Sequence, residues 1–133
     1  MAFDIFKNDV VELAEEGYKF AVKTPDGVDT DWVIHVRGSN SKIAKDHARK
    51  LFQKTQAEEL RNRKRNKETE FNLDDAEAQV VEIAVTRIKG WEGLESDGKV
   101  VKFTPEVATQ LLTKHDWARK QVIEQSDNEA NFI

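Results

Sequence analysis

Cysteine is absent from the chain, and proline occurs only at Pro25 and Pro105. Without thiols neither a disulfide framework nor thiolate metal chemistry is available, so the fold must rest on packing, and a reducing compartment suits it. Apolar residues never run for the roughly 20 positions that span a bilayer. The opening Met1-Ala2-Phe3-Asp4-Ile5-Phe6 lacks a basic stretch followed by an apolar one, so the expectation is a cytosolic protein with no leader and no membrane partner. Histidines are few and scattered: His35, His47 and His115 stand in no spacing such as H-E-x-x-H that would set two ligands on one helical face. Each reads as a partly buried or surface side chain. No phosphate-cradling glycine loop occurs, because Gly90, Gly93 and Gly98 are too widely spaced. Asp26, Asp29 and Asp31 resemble a calcium loop only superficially, since Gly27 follows the first acid and not the third. Paired acids at Glu15-Glu16 and Asp74-Asp75 lie at helix ends, where they have a structural use. The reading is of a protein with no catalytic residues, no metal and no cofactor, though a site assembled from distant positions escapes a sequence.

What the chain does have is charge, unevenly placed. Its 133 residues suit one domain with a modest core. Charged residues form 35% of it, with a net charge of −4. From Lys42 to Lys67 ten positive residues face three acids, a local balance of +7 that leaves −11 for the remainder. Such polarity can steer an acidic partner or pair one copy with another. Lys45 and Arg49 are the candidate contacts on this segment. Phe52 is its only aromatic residue and it carries no nucleic-acid motif, so a solvated face ranks first, a protein partner second and nucleic acid last.

The pattern predicts an α+β single domain over residues 1–133, an N-terminal β-hairpin packed with three to four α-helices. Asp9 to Glu16 reads as a short helix stopped by Gly17. Tyr18-Lys19-Phe20-Ala21-Val22 alternates at period two and Trp32-Val33-Ile34-His35-Val36 is rich in β-formers, with Thr24-Pro25-Asp26-Gly27 as the turn between them. The hairpin region is 18–37. Ser39-Asn40-Ser41 offers caps to a basic amphipathic helix over 41–60, with Ala44, Ala48, Leu51, Phe52 and Thr55 on its buried face. Little is left to bury over 61–72, which predicts a flexible segment. The helical C-terminal half, 74–126, begins at Asp74-Asp75 and runs through Ile88 to a stop at Lys89-Gly90. Asp97-Gly98 marks a turn between short extended pieces, and Thr104-Pro105-Glu106 starts a capped helix that breaks near His115-Asp116.

Gly90-Trp91-Glu92-Gly93, Asp97-Gly98-Lys99, Phe103-Thr104-Pro105-Glu106, Leu111-Leu112 and Asn131-Phe132 resemble the tail assembly chaperones of long-tailed bacteriophages. In that family a helix ends in a Gly-Trp-x-Gly turn, a short D-G-x segment follows, and a phenylalanine leads into a capped helix. The order of the earlier elements is similar too, apart from Asn40, where the family often has aspartate. The resemblance implies a non-enzymatic protein of the host cytoplasm, left out of the mature virion, that coats the tape measure protein, keeps it soluble and helps recruit tail tube protein subunits. It also implies self-association. Trp91, Phe103, Leu111, Leu112 and Trp117 are the candidate partner surface, with core packing as the competing reading. Two rival functions fit the same residues: a minor tail component retained in the particle, and a nucleic-acid binder using the basic helix.

Overall fold

The computed structural model describes residues 10–64 and 72–132. The first residues of the chain and positions 65–71 of the segment predicted to be flexible lie outside these. Helix α1 (Val10–Glu16) ends at Gly17, whose φ of 89° is the left-handed conformation foreseen for it. Strands β1 (Tyr18–Lys23) and β2 (Asp29–Val36) form the predicted antiparallel hairpin, with Phe20 opposite Ile34 and Ala21 opposite Val33. The turn closes through Thr24 N–H to the Val28 carbonyl at 2.8 Å and Gly27 N–H to the Thr24 carbonyl at 2.8 Å.

Helix α2 (Lys42–Lys64) begins at Ser41, which accepts the Ala44 N–H on its hydroxyl, so Ser41 and not Asn40 is the cap. Arg61 to Lys64, expected in the flexible segment, continue this helix. Its buried face is shorter than its spacing suggests. Ala44 is buried and Leu51 half-buried, whereas Ala48 and Thr55 are exposed and Phe52 is 63% exposed. Phe52 follows Leu51 by one residue, about 100° round the helix, which turns it off the side that meets α3.

Helix α3 (Leu73–Arg87) is capped by Asn72, whose side chain accepts the Asp74 and Asp75 N–H groups. It does not run on through Ile88 to a glycine stop. Ile88 opens strand β3 (Ile88–Glu92), which adds to the hairpin in the order β1-β2-β3. Arg37 makes the abrupt change from helix to strand possible. Its guanidinium donates to the carbonyls of Thr86 and Ile88, both at 3.0 Å, and its backbone N–H to that of Arg87 at 2.6 Å. Carbonyls that a helix end would leave bare are thereby satisfied.

A small hairpin follows, β4 (Glu95–Ser96) and β5 (Lys99–Val100), turning through Asp97 and Gly98 with φ of 52° and 76°. Helix α4 (Pro105–Lys114) starts as expected, the Thr104 hydroxyl accepting the Val107 N–H at 3.1 Å, and α5 (Asp116–Asp127) follows after the break at His115. A 3₁₀ turn, Glu129–Phe132, buries Phe132 against Tyr18, with ring centroids 6.4 Å apart. The architecture is the α+β one expected: one face of the sheet packs on α5, with α3 and α4 behind it. Phe20, Val22, Trp32, Ile34 and Val36 from the sheet meet Val81, Ala84, Leu112, Ala118 and Val122 from the helices.

Candidate functional site

The C-terminal candidates divide into two groups. Leu112 is wholly buried in the core. Its neighbour Leu111 sits about 100° round the helix and is half-buried. Trp91 is positioned by β3 opposite Ile34 and stacks edge-to-face between Trp32 and Phe103, at 5.5 and 5.0 Å between centroids. Its indole N–H donates to the Val101 carbonyl at 2.9 Å, which ties the β4–β5 hairpin to the sheet. Phe103 is half-buried on the other side of that ring. These contacts account for both aromatics as structural members of the fold.

Leu111 and Trp117 instead line an open groove of about 650 Å³ with Trp32 and Leu94, rimmed by Asp31 and Glu95. The Trp117 ring lies 5.6 Å from that of His115. Trp32 is buried, and its indole N–H has no acceptor among the described residues. The structure thus gathers four candidates around one end of the sheet and leaves Leu112 behind them.

Lys45 and Arg49 belong to a different surface. Both are exposed on α2, where Arg49 makes an exposed ion pair with Asp46 at 3.3 Å. The N-terminal half of α2 packs on the C-terminal half of α3, with Ala44, His47 and Leu51 near Ile83 and Thr86. His47 Nε2 and Glu82 Oε1 meet there at 2.8 Å. Beyond Leu51 every described residue of α2 but Asn62 is exposed. The large exposed apolar residues among the described residues of this helix pair are Ile43, Phe52 and Leu60 on α2 and Leu73 and Val80 on α3. Sequence reasoning missed Phe52 and Leu60 as surface residues. The available signal was the polar run of Thr55, Glu58 and Asn62 along the line continuing Leu51, which leaves the α3-facing side nothing to bury.

His35 lies on β2 where α1 meets the sheet. Its Nε2 lies 3.0 Å from the Glu16 carbonyl at the end of α1, and Lys89 donates to the carbonyls of Glu15 and Glu16 at 3.0 and 3.2 Å. Burial pushes the imidazole below its usual range, and Lys89, Lys19 and Arg37 push the same way, against the bond to Glu16. This cluster fastens α1 to the sheet. Among the described residues no three histidines, cysteines or acids come together as metal ligands, and no helix is long and apolar enough to cross a membrane.

The chain is thus a mixed α+β domain with an open aromatic groove beside Trp32 and a basic helix that is exposed beyond Leu51, Asn62 apart. The family described as YdaY prophage protein has a sequence model that matches residues 39–133, and the chain belongs to that family. It is therefore a phage-related protein. No curated protein and no solved structure matches it.

Proposed function

We propose that this phage-related protein is a non-enzymatic tail assembly chaperone, working in the host cytoplasm and absent from the finished virion. It binds the tape measure protein, keeps that long helical chain soluble and helps recruit tail tube subunits. One observation carries the reading: five large apolar side chains stand in water on a single helix pair, Ile43 at the start of α2 among them. Phe52 is 63% and Leu60 56% exposed on α2, and Leu73 is 70% and Val80 38% exposed on α3. Exposed apolar residues on helices are what an amphipathic helix of a partner covers. The order of the Gly90-Trp91-Glu92-Gly93, Asp97-Gly98 and Phe103-Thr104-Pro105 elements supports the same assignment. Co-expression with the cognate tape measure protein tests it. The tape measure protein should become soluble and co-purify with this chain, and its gene should follow closely on this one. Failure of both rescue and co-purification would sink the assignment.

A further inference from the structure

Along α2, the residues Lys45, Arg49, Phe52, Gln56, Leu60 and Arg63 follow one another at intervals of three or four, so they form one stripe. All six are exposed. At 1.5 Å per residue the stripe is about 27 Å long, enough for five turns of a second helix laid against it. Phe52 and Leu60 occupy its middle, and cations stand at both ends. The stripe lies away from the side that packs on α3, where Ala44 and Leu51 are covered.

We propose that this stripe docks an acidic amphipathic helix of a protein partner, an inference that rests on the partner-holding function above and assigns it a surface. The two apolar side chains enter the partner's apolar seam, while its carboxylates meet Lys45 and Arg49 at one end and Arg63 at the other. Charge selects this occupant. Lys42 to Lys64 hold eight cations against three acids, so the helix is a positive arm on a chain of net charge −4. A helix with basic flanks would be repelled. A polyanion such as duplex DNA would meet the cations but leave Phe52 and Leu60 unexplained. Long side chains on such a face can meet carboxylates without being buried first, so the flanks set register and on-rate while the apolar pair holds.

The test uses the full chain and two synthetic helical peptides of about 20 residues, long enough to be helical once bound. They share one leucine seam and differ only in flanks, glutamate in one and lysine in the other. Fluorescence anisotropy should show the glutamate peptide binding at least about tenfold more tightly than the lysine peptide, with the gap closing as salt is raised. The triple variant Lys45→Glu, Arg49→Glu and Arg63→Glu should reverse the preference, and that gain of binding excludes misfolding as the cause. Phe52→Ser should weaken both peptides. The inference is overturned if neither peptide binds, if both bind alike, if the triple variant keeps the wild-type preference, or if a duplex oligonucleotide binds more tightly than the glutamate peptide. Co-expression separates the two claims. A tape measure protein rescued equally by wild type and triple variant removes this surface and leaves the chaperone reading, whereas the expected peptide preferences without rescue do the opposite.

Discussion

The backbone of Gly93 is pressed against that of Asp31: a β-carbon at position 93 would stand 1.8 Å from the Asp31 carbonyl oxygen. Gly93 also has a φ of 77°, whereas the other glycine of the Gly-Trp-x-Gly run, Gly90, has nothing within 4 Å of its missing side chain. The two glycines are therefore there for different reasons. Gly93→Ala should destabilise by about 3 kcal/mol or more, because strain and a backbone collision add. Gly90→Ala should be neutral or stabilise by up to about 1 kcal/mol, by restricting the unfolded chain. Urea denaturation of the two variants decides it, and equal losses would show that the close approach to Asp31 has no consequence.

Trp91→Ala removes two edge-to-face ring contacts and the bond to Val101. The expected cost is about 3 kcal/mol, at the lower end for a large aromatic because the ring is half-buried. Phe52→Ala, at an exposed position, should change stability by no more than about 0.5 kcal/mol. Thermal melts that rank these two in reverse would place Phe52 in a packed interior and withdraw it from the surface.

Arg37→Met keeps the aliphatic stem and deletes the donors that satisfy the Thr86 and Ile88 carbonyls. Hydrogen bonds from a charged group contribute about 1.5–3 kcal/mol each, and the freed carbonyls are part-buried, so a loss of about 3 kcal/mol is expected. Hydrogen exchange should locate the damage at the end of α3 and the start of β3. Uniform loss of protection without that local signature would argue against the capping role.

Stability should fall on acidification through His35. Unfolded imidazoles titrate near 6.5. Burial first, then Lys89, Lys19 and Arg37, lowers the folded value, so the unfolded chain binds more protons between the two. Stability is thus complete above about pH 6.5 and declines below it, toward the folded value. His35→Gln should flatten this dependence. Its Tm should change less than that of the wild type between about pH 7.5 and pH 5.5, and parallel profiles would assign the acid sensitivity elsewhere.

Short-range signals in this chain are strong, and the features that depend on them were legible. The Pro25-Asp26-Gly27 turn, the Thr104-Pro105 cap, the Gly17 stop and the Asp97-Gly98 turn each act within a few residues. Strand β3 was not legible, because Ile88-Lys89-Gly90-Trp91-Glu92 has neither alternation nor length, and only pairing with β2 makes it extended. A glycine that would end a helix in isolation is used there as an unobstructed position beside His35. The apolar C-terminal candidates were found by residue type alone, but only packing separates buried Leu112 from Leu111, which lines the groove. Phe52 was assigned to the wrong side because a stripe of threes and fours admits two adjacent faces, and which one is covered depends on where α3 lies.

The family match begins at residue 39, just past the hairpin, yet β3 lies within it and pairs with β2, which lies outside. The segment that the family model matches therefore shares its sheet with strands that lie before it. Cutting the chain at Gly38 would strip β3 of its neighbour, bare Ile88 and Trp91, and leave an unpaired strand edge of the kind that recruits other chains. The chain from Arg37 to Arg87 must also loop back before the third strand can join, a long-range closure for so small a sheet. A ribosome releasing this protein would thus emit a hairpin with an open side first. That side can close only after α2 and α3 have been made, because β3 follows them in the chain.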